Sequence, residues 1–174
     1  MRKKVFAGIG LFLFLFACAA MEPPSVREEK YGKASPVITQ FFASKEMDPR
    51  GTWKIYLKAS DADGDMKNML ITFGRKEGVG SENTRTRITE ENRRELSGYL
   101  SWYPGPNAQY SMYGVLAVEI EDMAGHRSSV VSFPIEFKAG IGQEAPPQGI
   151  FQEKELGPVM ISLKPPGGGG GSGS

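Results

Sequence analysis

Alternation of apolar and polar residues with a period of two is the sequence feature that most limits the fold of this chain. Within residues 52–60, Trp53, Ile55 and Leu57 are separated by polar or aromatic residues, and residues 116–120 and 131–137 repeat the pattern. Successive side chains of a strand point to opposite faces of its sheet. A period of two therefore indicates strands that bury one face.

Further strands are predicted around these three. Residues 69–73 alternate in the same way, and weaker patterns lie at 37–43, 84–89 and 96–102. Seven candidate strands within residues 36–138 predict an all-β protein with a single antiparallel β-sandwich. Pro134 predicts that the last strand is an edge strand or carries a bulge, because proline has no N–H to donate. Residues 89–96 predict a short helix at most.

The regions after the predicted sandwich have a different composition. Residues 139–149 are rich in Gly and Pro and are predicted to be a linker, while residues 157–163 are compatible with one more strand. Residues 165–174 end in GGGGGSGS. Such a sequence has no apolar side chains to bury and is predicted to be disordered. Residues 139–164 are thus predicted to be a linker that is compatible with an extra strand, and residues 165–174 a flexible tail.

The N-terminus has the order of a secretory signal peptide. Arg2, Lys3 and Lys4 precede an apolar run at residues 5–16, and small residues follow it. The apolar run is too short for a helix that crosses roughly 30 Å of hydrocarbon. Residues 1–17 are therefore predicted to direct export. Residues 18–35 are polar, contain proline and show no periodicity, which is typical of a tether.

The four residues Leu15-Phe16-Ala17-Cys18 resemble the lipobox of bacterial lipoproteins. Leu15, Ala17 and Cys18 match the pattern, whereas Phe16 departs from it. The resemblance implies cleavage before Cys18 and attachment of lipid to that cysteine, and Ala19 after it favours the outer membrane. The alternative is ordinary secretion, with cleavage at an A-x-A-like site around Cys18.

Charge and cysteine content exclude several classes of function. Cleavage before Cys18 removes three of the 21 Lys and Arg residues and leaves 18 against 20 Asp and Glu residues. This balance excludes the strong basic surplus that nucleic-acid binding uses. Cys18 is the single cysteine of the chain, so an intrachain disulfide is excluded as well.

Two Asp-containing loops are similar to turns of bacterial Ig-like and fibronectin-III-like domains. Residues 60–66 (SDADGDM) contain a D-x-D-G-D turn after the second predicted strand. Residues 121–128 (EDMAGHRS) contain a D-x-A-G-H-x-S connection between the last two. The resemblance spans residues 36–138 and implies an Ig-like fold, in which both connections lie at the same end of the sandwich.

This placement predicts that carboxylates of the two loops converge. Ca²⁺ takes six to eight oxygen ligands, so the convergence predicts a calcium site formed by four residues: Asp61, Asp63, Asp65 and Asp122. An EF-hand is excluded, because Gly64 stands at the fourth position and Thr72 at the twelfth. The alternative is that these Asp and Gly residues only form turns.

An aromatic, Pro-rich segment at residues 102–113 supplies a second candidate site. Trp102, Tyr103 and Tyr110 are candidates for stacking on sugar rings or for contact with a protein partner. The alternative places Trp102 in the core and uses a tyrosine such as Tyr113 as the tyrosine corner of an Ig-like sandwich.

Catalysis is not predicted. His126 is the only histidine, and no serine and acid are marked as its partners in a triad. The sequence therefore predicts a lipid-anchored module of the cell envelope with a non-catalytic binding, structural or adaptor role. A calcium- or carbohydrate-dependent adhesion module is the alternative, and an envelope hydrolase ranks third. No cofactor is predicted other than calcium at the Asp-containing loops. The expected partners are the membrane, through lipid, and an envelope protein or a glycan.

Overall fold

A computed structural model describes residues 22–75, 81–105, 108–109 and 111–163. The predicted signal peptide, Cys18 and the Gly/Ser tail lie outside these residues. Nine strands and one α-helix, α1 (Pro24–Tyr31), are found within them. The strands are β1 (Val37–Ala43), β2 (Glu46–Met47), β3 (Trp53–Ser60), β4 (Met66–Arg75), β5 (Ser81–Arg87), β6 (Glu95–Trp102), β7 (Tyr113–Asp122), β8 (Val131–Phe137) and β9 (Glu155–Pro158).

The strands form two sheets packed as a sandwich, which confirms the predicted fold class. One sheet has the order β1-β3-β6-β9 and the other the order β2-β8-β7-β4-β5. The orders β1-β3-β6 and β8-β7-β4-β5 correspond to those of an Ig-like sandwich. Each neighbouring pair within these two groups is antiparallel. The β3–β4 connection crosses between the sheets, whereas the β7–β8 connection joins two neighbouring strands of one sheet, and both connections lie at the same end of the sandwich.

The core lies between the two sheets and contains the alternating apolar residues of each strand. Its centre is aromatic: Trp102 packs against Trp53, Phe73 and Phe137, with ring centroids 4.9–6.2 Å apart. Both indole N–H groups donate to backbone oxygens, that of Trp53 to Ser44 and that of Trp102 to Ile161. The buried indoles therefore keep their hydrogen bonds without contact with solvent.

The sandwich extends beyond the predicted boundary at residue 138. Strand β9 pairs with β6 in parallel and begins earlier than the predicted strand at 157–163. After it, the buried side chains of Val159, Ile161 and Leu163 complete the core. Strand β2 also pairs in parallel, with β8. The purely antiparallel prediction is therefore corrected at these two pairings.

Two local predictions agree with the structure. Pro134 lies opposite Val115 of β7, and on the other side of β8 the short strand β2 pairs only with Glu136 and Phe137. The proline thus lies on a sheet edge that is largely open. The predicted short helix at 89–96 is a single 3₁₀ turn at Glu90–Asn92.

The segment predicted as an irregular tether contains helix α1. Pro24 stands at the first helical position, where a missing N–H has no cost, and Gly32 ends the helix. The helix has no buried residue and no apolar face. Within the part of the chain that the structure describes, no helix is long and apolar enough to cross a membrane.

Candidate metal centre

Three aspartates converge at the end of the sandwich where the β3–β4 and β7–β8 connections meet. Asp61 follows β3, Asp65 precedes β4 and Asp122 ends β7. One carboxylate oxygen of each lies within 4.8 Å of the others. Their exposed fractions are 2%, 7% and 1%, so the three acids are buried together.

Asp61 organises the first loop. Its Oδ1 accepts hydrogen bonds from the backbone N–H of Asp63 at 2.8 Å and of Gly64 at 3.1 Å. Gly64 has a φ of 76°, which a residue with a side chain rarely adopts. The alternative prediction, that Asp and Gly residues form the turn, therefore accounts for Oδ1 of Asp61.

Asp122 organises the second loop in the same way. Its Oδ1 accepts from the N–H of Gly125 at 2.6 Å and of His126 at 2.8 Å. Its Oδ2 lies 2.9 Å from Nδ1 of the His126 ring. Both oxygens of Asp122 are therefore held, and the carboxylate has a fixed orientation.

Asp65 connects the two loops. The backbone N–H of Met123, the residue after Asp122, donates to the backbone oxygen of Asp65 at 3.1 Å and to its Oδ2 at 3.2 Å. The three carboxylates are thus positioned by hydrogen bonds from protein groups. These hydrogen bonds bring the three carboxylates close together.

Two oxygens of the cluster remain without a hydrogen-bond partner in the described residues. They are Oδ2 of Asp61 and Oδ1 of Asp65, and both are buried. A buried polar atom without a partner destabilises the folded state. Burial raises the pKa of both aspartates, and the nearby charge of Asp122 raises each pKa further. The folded protein therefore holds carboxylates where ionisation is disfavoured.

A bound cation would relieve both the repulsion among the carboxylates and the lack of partners for the two buried oxygens. It supplies positive charge, and it takes carboxylate oxygens as ligands. Calcium binds carboxylates at 2.3–2.6 Å, so two of its ligands lie at most about 5 Å apart. The spread of 4.8 Å within the cluster meets this limit. Asp61, Asp65 and Asp122 could hold the ion, and backbone carbonyls and water commonly fill the remaining positions.

Asp63, the fourth predicted ligand, does not join the cluster. It stands at the exposed tip of the first loop, and its Oδ2 accepts a hydrogen bond of 2.7 Å from the backbone N–H of Ala34. The tight turn between Asp61 and Asp65 directs the side chain of Asp63 away from the other two. The four-residue prediction is thus reduced to three residues.

Trp102 does not contribute to the predicted aromatic site. Trp102 is fully buried in the core, as the alternative interpretation expects, and cannot stack on a sugar ring. Tyr103 is 52% exposed, whereas Tyr110 lies outside the described residues. Tyr113 begins β7 and is 39% exposed, which does not suit a buried tyrosine corner.

His126 is engaged by carboxylates at both ring nitrogens. Nδ1 lies beside Asp122, and Nε2 lies 3.4 Å from Oε1 of Glu28 in α1. Partial burial lowers the pKa of His126, but the hydrogen bonds to Asp122 and Glu28 outweigh it, so the pKa is raised overall. The ring nitrogen that a triad would turn toward a nucleophile faces Glu28 instead.

Arg27 and Gly32 also lie at this end of the sandwich and were not among the predicted site residues. The guanidinium of Arg27 packs against Gly125, and Gly32 packs against the side chain of Asp63. The sequence carries no periodic or motif-based signal for these contacts. Comparison of the sequence with protein-family models found no match, and comparison with curated proteins found none.

Proposed function

We propose that this chain is a lipid-anchored, non-catalytic module of the cell envelope whose loop end is organised by calcium. The observation that carries the calcium assignment is the pair of buried, unpartnered oxygens on Asp61 and Asp65 beside Asp122. Turn formation accounts for one oxygen of Asp61 and both of Asp122. It leaves the two unpartnered oxygens without a role, whereas a bound cation gives them one.

The non-catalytic role is supported by the environment of His126. Its two ring nitrogens are taken up by Asp122 and Glu28, both of them carboxylates. Carboxylates that converge from two loops supply oxygen ligands of the kind that Ca²⁺ takes in extracellular modules. The role we infer is therefore binding or assembly, with calcium fixing the loops that a partner would meet.

Calcium binding is expected to be measurable by isothermal titration calorimetry. Extracellular calcium modules bind with Kd values of about 0.1–1 mM, and the full chain in detergent is expected to fall in this range. Asp61→Asn is expected to reduce binding below detection, because asparagine removes one charge and one of the bare oxygens. Asp48→Asn is the matched control, since Asp48 closes a turn through Arg50 and Gly140 away from the cluster.

Absence of heat for the wild type at millimolar calcium would overturn the calcium assignment. Equal binding by Asp61→Asn and the wild type would place the ion elsewhere. Magnesium serves as a second titrant, because its smaller radius and strict octahedral geometry disfavour a site fixed by loop hydrogen bonds.

The lipid anchor rests on the sequence around Cys18 and has its own test. Cells given an alkyne analogue of palmitate are expected to label the wild type and to leave Cys18→Ser unlabelled. The labelled protein is expected in outer-membrane fractions, by the resemblance of Cys18-Ala19 to lipoproteins sorted there. An unlabelled wild type would overturn the lipid anchor in favour of ordinary secretion.

A further inference from the structure

Residues 24–34 lie against both loops that carry the candidate metal ligands. The backbone N–H of Ala34 donates to Asp63 in the first loop at 2.7 Å. Glu28 meets His126 in the second loop, with 3.4 Å between Oε1 and Nε2. One segment of the chain thus contacts the β3–β4 and β7–β8 connections at the same time.

Two glycines bring the segment and the loops into direct contact. A Cβ added at Gly32 would lie 2.0 Å from Oδ2 of Asp63, and one added at Gly125 would lie 2.7 Å from Nη1 of Arg27. A Cβ at either position would force the neighbouring side chain to shift. The backbone of Gly32 therefore rests on the first loop, and the guanidinium of Arg27 rests on the backbone of the second.

These polar contacts are the main attachment of α1 to the sandwich. The helix buries none of its own residues, and Val26 is 44% exposed. An isolated helix of eight residues is unstable in water. The segment thus depends on the loops being in the conformation that presents the carboxylate of Asp63, the backbone of Gly125 and the ring of His126.

We infer that the cation site controls the docking of residues 24–34, an inference that rests on the proposed calcium function. With the ion bound, Asp61, Asp65 and Asp122 are held together and both loops keep the positions that the segment contacts. Without it, the carboxylates repel one another and the loops separate, so the docked segment is released. By thermodynamic reciprocity, docking must then strengthen calcium binding by the same factor.

Gly32→Ala tests this reciprocity, because its methyl group would displace Asp63. In the full chain in detergent, titration calorimetry is expected to show calcium binding weakened at least about fivefold, the lower end of typical coupling between sites. Gly140→Ala is the matched control: Gly140 also has positive φ, 71° against 114° for Gly32, and a Cβ there meets nothing within 4 Å. It is expected to bind calcium as the wild type does.

Hydrogen exchange followed by mass spectrometry measures the docking of residues 24–34 directly. Calcium is expected to slow exchange of the amides in residues 24–34 more than of those in β9, in the wild type and in Gly140→Ala but not in Gly32→Ala. Equal calcium affinity for the two glycine variants would overturn the coupling between calcium binding and docking but leave the calcium site standing. An exchange rate in residues 24–34 that does not change with calcium would have the same meaning. A wild type without calcium binding would overturn the proposed function as well.

Discussion

Replacing Asp65 by asparagine is expected to raise the thermal unfolding midpoint of the calcium-free protein and to abolish the rise that calcium causes in the wild type. Two unit charges about 5 Å apart repel by about 3 kcal/mol at an effective dielectric constant of 20. Asparagine removes two of the three repelling pairs and keeps an oxygen for the Met123 N–H. A net gain on the order of 2 kcal/mol is expected, since loops and solvent relax part of the repulsion.

The wild type is expected to respond to calcium instead. At a concentration 100 times the Kd, a ligand that binds only the folded state stabilises it by about 2.7 kcal/mol. For a protein of this size the unfolding midpoint would rise by about 5–10 °C. Differential scanning calorimetry with calcium or a chelator measures both effects in both proteins.

The pH dependence gives the same prediction a second readout. Asp61 and Asp65 have raised pKa values in the folded state, so their protonated forms stabilise it. This contribution is present below the pKa of an unfolded aspartate, about 3.9, and is lost as pH rises through the raised values. Without calcium, the stability advantage of Asp65→Asn over the wild type is therefore expected to grow with pH across that window.

Asp48→Asn is the control for the aspartate-to-asparagine change, and the opposite sign is expected for it. Hydrogen bonds from Arg50 and from the N–H of Gly140 lower the pKa of Asp48, so its charge stabilises the fold. If Asp65→Asn destabilised the calcium-free protein as Asp48→Asn is expected to do, the three carboxylates would not be a repelling cluster.

Trp102→Ala is expected to cause the largest loss of stability in the core. Truncation of a buried tryptophan costs about 3–5 kcal/mol through lost burial and the cavity that remains. It also removes the donor to the backbone oxygen of Ile161, which holds the C-terminal segment against the sandwich. Urea unfolding followed by circular dichroism measures the free energy of unfolding.

Tyr103→Ala is the matched control, because the neighbouring aromatic is half exposed. A change within about 0.5 kcal/mol is expected for this surface position. Should Trp102→Ala not fold, Trp102→Phe keeps most of the ring and still lacks the N–H, so a smaller loss remains measurable. A free energy of unfolding for either Trp102 variant equal to that of the wild type would contradict the core assignment.

The parts of the fold that the sequence predicts are those in which each strand buries one face. Residues 53–60 and 131–137 alternate because their inner side chains fill the same core. Strand β2 could not be predicted, since two residues carry no period, and the bounds of β9 were predicted too late in the chain because Glu155–Pro158 contains one buried side chain. Their parallel pairing is set by tertiary contacts.

The candidate site could also be predicted only in part. Convergence of Asp61, Asp65 and Asp122 follows from the strand order of an Ig-like sandwich, which brings the two loops to one end. The orientation of Asp63 depends on turn geometry at Gly64, which leaves no trace in the residue pattern. Docking of α1 depends on the missing side chains of Gly32 and Gly125. Such contacts appear only in three dimensions.

Under the proposed lipid attachment at Cys18, the docked position of α1 determines how far the sandwich can lie from the lipid surface. With α1 docked, only five residues, 19–23, join Cys18 to the folded part, and an extended chain of that length spans about 17 Å. With α1 released, eighteen residues, 19–36, separate the two, which allows about 60 Å. Under the proposed anchor and calcium site, calcium binding would shorten the tether and hold the module closer to the bilayer.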